Sequence, residues 1–329
     1  MRKATPLLAT RRSFGAFLLA GSACAVAQPA GRTWRVGFLG VGRPEPYAAR
    51  IAALREGLAA LGYREGQNLM LEFRWAEGNV DRLRELAAEL VRGKVDLLVT
   101  HSTPGARAAL DVTKTLPIVM ADSGDPVGQR LVTSLARPGG NITGSSIVSP
   151  PLYGKRLELL REIHPAMRRV AFVTNAANRQ PSTHRHIEDV AARHKLELEK
   201  LEVSGTAEFE PSLREFKSRR GDALVVIDDP LFVLHTTQLA QAALKHRLAL
   251  AGFAEFAPQG GLVGYGASFP EMYRRAATFI DKIFRGAPPG ELPIEQASRF
   301  ELLVNLKTAK ALGLRVPPST LASADGVIE

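Results

Sequence analysis

Four short polar clusters in this chain carry side chains able to hold a charged small molecule: His101-Ser102-Thr103-Pro104, Asp122-Ser123-Gly124-Asp125, the loop opening at Asn175, and Asp228-Asp229-Pro230. Ser102 and Thr103 place hydroxyls beside the amides of a helix start, a setting that attracts a carboxylate or phosphate because the first N–H groups of a helix lack internal partners. Asp122, Asp125, Asp228 and Asp229 supply carboxylates for an ammonium group, although an Asp ahead of Pro is also a turn former, the role that suits Asp125 best. Tyr47, Phe232 and Phe253 supply rings for an apolar subsite or for the core. Gly40 closes a strand at a tight loop. His101 ends a strand, where it contacts a ligand or serves as a base.

Apolar runs lead into each cluster. Trp34–Leu39 runs into Gly40, Val95–Thr100 into His101, Ile118–Ala121 into Asp122, Arg169–Thr174 into Asn175, Ala223–Ile227 into Asp228, and Leu248–Phe253 into Glu255. Between them lie segments of helical periodicity, among them Tyr47–Leu61, Val80–Arg92, Leu152–Ile163 and His235–His246. This alternation predicts a parallel sheet covered on both faces, with ligands held at the carboxyl ends of the strands. Thr103 is read as the N-cap and Pro104 as the first residue of a helix through Ala106–Lys114.

After the turn-rich Arg137–Asn141 the pattern starts again, so the chain holds two similar halves. Gly260–Gly266 is too rich in glycine for a strand interior. The strong helix Met272–Arg285 carries apolar residues that suit the first half. The predicted organisation is therefore an α/β chain of two doubly wound parallel-sheet lobes. Lobe 1 comprises 33–146 and about 267–291; lobe 2 comprises 147–266 and about 292–329. Three crossings between the lobes make a hinge.

Residues 1–27 read as an export peptide, with Arg2, Lys3, Arg11 and Arg12 before an apolar core and Ala25-Val26-Ala27 as the cleavage signal. Thr10–Phe14 resembles a twin-arginine signal, which leaves the export route open. Cys24 is a weaker candidate for lipid attachment. Four of the 43 basic residues and none of the 33 acids lie in this leader, so the net charge falls from +10 to +6 on cleavage. The single cysteine leaves as well, which excludes disulfides and thiol chemistry. Scattered basic residues with only 6% aromatics argue against nucleic acid. The dinucleotide fingerprint fails, since Glu45 stands where the third glycine of G-x-G-x-x-G belongs, and no P-loop, G-x-S-x-G elbow or HExxH is present. No metal or cofactor is expected.

Several longer motifs carry a family resemblance: Asp125-Pro126-Val127-Gly128, Ser134–Gly144, Asp228–Phe232, and Asn305–Leu314 followed by Val316-Pro317-Pro318. Through these the chain resembles the substrate-binding proteins of ABC transporters, in the group with tryptophan- and tyrosine-binding members and the type I periplasmic binding fold. The resemblance spans nearly the whole chain after the leader. It implies a periplasmic, monomeric, non-catalytic protein that closes over a small amino-acid-like or aromatic carboxylate ligand and meets an inner-membrane ABC permease. Ser102-Thr103-Pro104 replaces a usual Gly-Thr-Pro, Asn175-Ala176-Ala177 replaces a usual Asn-Pro, and Ala251 stands near a frequent Tyr. Two alternatives stay open: an exported α/β hydrolase using His101 with Asp122 or Asp125, and a ligand-sensing module for a membrane receptor.

Overall fold

The computed structural model describes Met1 and residues 32–147, 149–178 and 181–329. Beyond Met1, the predicted leader with Cys24 lies outside the described residues. The first lobe is built from β1 (Trp34–Gly40), α1 (Ala48–Ala60), β2 (Leu69–Trp75), α2 (Leu83–Arg92), β3 (Leu97–His101), α3 (Ser102–Val112), β4 (Ile118–Asp122) and β5 (Ile142–Ser146). The chain then crosses into α4 (Ser149–Ile163), β6 (Arg169–Asn175), α5 (Pro181–Arg193), β7 (Glu197–Val203), α6 (Phe209–Ser218), β8 (Ala223–Val226), α7 (Pro230–Leu234), α8 (Thr236–Lys245), β9 (Ala249–Gly252) and β10 (Val263–Ala267). It returns through α9 (Phe269–Phe284) and β11 (Glu295–Gln296), and finishes with β12 (Phe300–Asn305), α10 (Leu306–Leu312), α11 (Pro318–Ala322) and β13 (Gly326–Ile328).

Two sheets result, in the orders β11-β5-β4-β3-β1-β2 and β13-β12-β10-β9-β8-β6-β7. Every pairing is parallel except β10 with β12. Both sheets wind outward from an inner strand, β1 in one and β6 in the other, so each has a switch point, β1/β3 and β6/β8. Crevices for ligands open at the carboxyl ends of strands at such points. Residues alternate between faces along the first sheet: Leu97 and Val99 pack with α1 and α9, while Leu98 packs with α2 and α3.

Helix α9 lies against α1, and β11 pairs with β5, so the first sheet includes residues of the returning segment up to Gln296. The crossings are laced together: the Ala297 N–H donates to the Ser146 carbonyl and the Ser268 N–H to the Arg299 carbonyl.

Two local expectations are corrected, and one strand is unforeseen. Helix α3 begins at Ser102 rather than after Thr103, and its N-cap position is His101, whose side chain makes no cap bond. From Val263 onward the glycine-rich stretch does form a strand, β10, paired with β9 and β12; glycine is needed at 264 because a side chain there would sit 2.4 Å from the Ala254 carbonyl oxygen of the neighbouring turn. Strand β5 is fully buried yet reads as polar, since its hydroxyls bond to backbone: Thr143 Oγ1 donates to Leu292 and Ser146 Oγ to Gly124.

Candidate functional site

Loops from both switch points line one cavity of about 30 Å3 between the lobes. From the first lobe come Tyr47, His101, Ser102, Thr103 and Asp122; from the second, Asp228 and Asp229. The two Asp pairs thus contribute unequally, and Asp125 does not line the cavity. Its carboxylate instead accepts the Gly128 N–H at 2.8 Å and closes a turn ahead of Pro126.

His101 is buried and its Nε2 accepts the Val41 N–H at 3.0 Å. Burial and the nearby Arg50 charge push its pKa down to about 3, so the ring is neutral with its proton on Nδ1. Its ring lies tilted by 44° against that of Tyr47, 4.5 Å between ring centres. The Nε2 lone pair of His101 is taken by the Val41 amide, and a base with so low a pKa is weak at neutral pH.

Asp122 pairs in register with His101 and accepts the Ser102 N–H through Oδ1 at 3.2 Å. The cap of α3 is therefore a carboxylate from the next strand, placed at a residue, Ser102, with left-handed backbone, φ 60°. Burial raises the Asp122 pKa to about 6, against the opposing pull of Arg50 and of the Ser102 amide. The Tyr273 hydroxyl lies near enough to act on this carboxyl, but neither Tyr273 OH nor Asp122 Oδ2 reaches hydrogen-bond geometry with any described residue.

Across the cavity, Asp228 accepts Arg156 Nη2 through Oδ1 at 2.7 Å. Arg156, on α4, is wholly buried and also donates to the carbonyls of Tyr265 and Val226 at 2.7 Å each. Burial still raises the Asp228 pKa, with Arg156 working the other way. Asp229 is saturated: Oδ1 accepts Asn175 Nδ2 and the Leu231 N–H, and Oδ2 accepts Asn178 Nδ2. It caps α7, and burial raises its pKa too.

Four further expectations fall outside the cavity. A Cβ on Gly40 would lie only 2.0 Å from the Trp75 ring, so the glycine is there for packing. Asn175 orients Asp229 from behind. Phe232 and Phe253 have no exposed surface and pack against Phe209 and Phe256, at 6.0 and 4.6 Å between ring centres.

Sequence reading missed the cations. Arg50, on α1, lines the cavity with its guanidinium 3.9 Å from the Phe269 ring and 4.9 Å from Tyr47, and its Nη2 reaches Glu255 of the second lobe at 2.8 Å. Buried atoms without a partner among the described residues gather here from both lobes: Arg50 Nε, Ser102 Oγ, Asp122 Oδ2, Asp228 Oδ2 and Glu255 Oε2. A signal for both arginines existed. Each follows a tyrosine by three positions, Tyr47 to Arg50 and Tyr153 to Arg156, and falls on the apolar stripe of its helix.

Among the described residues no helix is long and apolar enough to cross a membrane, and no group of His, Cys, Asp or Glu is arranged to hold a metal. A tyrosine-binding protein of Clostridioides difficile (strain R20291) is 26% identical over 256 residues, 77% of this chain and 73% of that protein. Two crystal structures superpose with TM-scores of 0.84, each covering 90% of this chain and all of the other. One is a conserved domain protein from Vibrio cholerae O1 biovar El Tor, 28% identical, and the other an ABC domain from Streptococcus pneumoniae in complex with L-Trp, 25% identical. A ligand-free, open substrate-binding protein from Clostridium difficile, 21% identical, gives 0.67 over 90% of this chain and 99% of its own. Since the family model for ABC transporter substrate binding proteins matches residues 45–328, this chain belongs to that family.

Proposed function

We propose that this protein is the exported, periplasmic solute receptor of an ABC importer, closing its two lobes over a small amino-acid-like ligand and presenting the closed form to an inner-membrane permease. The observation that carries this reading is the convergence of unpartnered buried polar atoms from both lobes on a cavity at the two switch points. Each such atom costs about 1–3 kcal/mol when left unpaired, a cost that a bound solute relieves. Closure supplies the mechanism: ligand shifts the population only by its greater affinity for the closed state.

The cavity volume supports a closed state. About 30 Å3 is a tenth of the roughly 300 Å3 at which small-molecule sites begin, so a solute enters only when the lobes part. Better superposition on the tryptophan complex than on the open, ligand-free protein agrees with this. Of the two ligand classes the resemblance implies, an aromatic carboxylate without an amine fits worse, because it would face Asp122 and Asp228. The neutral, bonded His101 and the non-catalytic family argue against an enzyme.

Calorimetry of the mature protein against amino acids, short peptides and aromatic carboxylates tests the reading, paired with small-angle scattering. Binding with a fall in the radius of gyration is expected. A folded sample that binds no small solute and never changes shape would sink it.

A further inference from the structure

The cations at and behind the cavity are already committed, and two of the carboxylates that line it each keep one oxygen open. Arg50 pairs with Glu255 and Arg156 with Asp228, while His101 is neutral. Asp229 is held by neutral amides and one backbone N–H, with no cation beside it. Asp122 accepts the Ser102 amide on Oδ1, and the Arg50 charge and the Tyr273 hydroxyl lie near it without a hydrogen bond to Oδ2. Among the described residues, Asp122, Asp228 and Asp229 line the cavity with Arg50 as the one guanidinium beside them; Arg156 reaches Asp228 from behind, and Glu255 holds Arg50 from a half-exposed position.

Two carboxylate oxygens stay open, and they come from opposite lobes. Asp122 is 5% exposed and the Asp228 side chain also 5%, and Oδ2 of each is buried without a partner. The two charges act on each other, since Asp228 helps raise the Asp122 pKa. Like charges brought together in a dry site are costly, and a cation between them reverses the sign of the interaction. Arg50 Nε and Ser102 Oγ remain for a polar acceptor, but a carboxylate at Arg50 would compete with Glu255 for a single guanidinium.

We propose that the cleft selects a solute of net positive charge, its ammonium group seated between Asp122 Oδ2 and Asp228 Oδ2, over the neutral zwitterion of the same skeleton. This rests on the receptor reading above and sharpens it: the ligand is an amine, or an amino acid with a further basic group. Closure then has an electrostatic cause, because the two acids meet favourably only around the cation. Tyr47 and Phe269 also line the cavity, one face of each covered by Arg50, and suit the apolar remainder of such a molecule.

Matched titrations separate the cases. Tyramine, tyrosine and phloretic acid share one skeleton, as do tryptamine, tryptophan and indolepropionate, and differ in charge. In each set that binds, the amine should exceed the zwitterion by about tenfold or more, with the acid weakest, and Asp122→Asn should abolish the preference. Asp228→Asn risks misfolding through Arg156, so Asp122→Asn carries the test. A zwitterion that binds as tightly as its amine, or a preference that survives Asp122→Asn, overturns the proposal. Native mass spectrometry of the purified protein covers ligands outside the panel: a co-purified solute of net positive charge supports the proposal. A neutral or acidic one overturns it while leaving the receptor reading intact. No titrant bound and no solute carried overturns both.

Discussion

Asp122→Asn should make the ligand-free protein more stable at neutral pH, and the size of the gain follows from burial. Folding moves the Asp122 pKa from 3.8 to about 6, chiefly through loss of water around the carboxylate. That difference is worth about 3 kcal/mol at roughly 1.4 kcal/mol per pH unit. The folded state holds the proton more tightly than the unfolded chain, so the stabilising contribution is full below about pH 4 and disappears as pH rises through 6. At neutral pH the native protein therefore carries a buried charge at a cost that Asn does not have. Asn also retains an Oδ1 acceptor for the Ser102 N–H, so the start of α3 keeps its cap. In differential scanning calorimetry the variant should melt roughly 5 °C higher at about pH 7.5 and level with the native protein at about pH 4. An unchanged melting temperature at pH 7.5 would refute the argument. So would an equal gain at both pH values, which would assign the effect to packing.

Other perturbations address other parts of the site. Arg156→Met should cost about 3–5 kcal/mol in denaturant unfolding, because it leaves Asp228 and the carbonyls of Val226 and Tyr265 unpaired; a loss under about 1 kcal/mol would contradict this. Glu255→Gln should shift the ligand-free protein toward open forms by about fivefold, the half-exposed bridge to Arg50 being worth on the order of 1 kcal/mol, and scattering that shows no expansion would count against an interlobe role. His101→Phe should cost about 1–3 kcal/mol by orphaning the Val41 N–H, while the pH profile of ligand binding between about pH 6 and 8 stays unchanged; a lost inflection near pH 6.5 would show that the ring titrates in function.

The fold was legible because parallel strands are buried on both faces and read as apolar runs, and because polar loops mark their carboxyl ends. That logic brought Ser102, Asp122 and Asp228 to one place. It failed where backbone chemistry was carried by side chains from elsewhere. Thr103 looked like a cap, yet the capping atom is Oδ1 of Asp122, which takes the Ser102 amide from twenty residues further along the chain. Strand β5 hid behind hydroxyls that bond to distant carbonyls, and β10 behind glycines needed by a neighbouring turn. Phe232 and Phe253 sit beside site loops in the chain but are wholly buried in the core of the second lobe, a direction that sequence proximity to a loop does not reveal. Arg50 and Arg156 were passed over because charged residues on helices are ordinarily solvated, and only their place on the apolar stripe marks them.

The most direct measurement is a crystal structure of the mature protein with the solute it carries or binds. The account predicts that solute enclosed between the lobes, with its charged nitrogen within hydrogen-bond distance of Asp122 and Asp228 and with Tyr47 and Phe269 against its body. A solute bound on the outer face of either lobe, or one in the cleft that touches neither carboxylate, would contradict it.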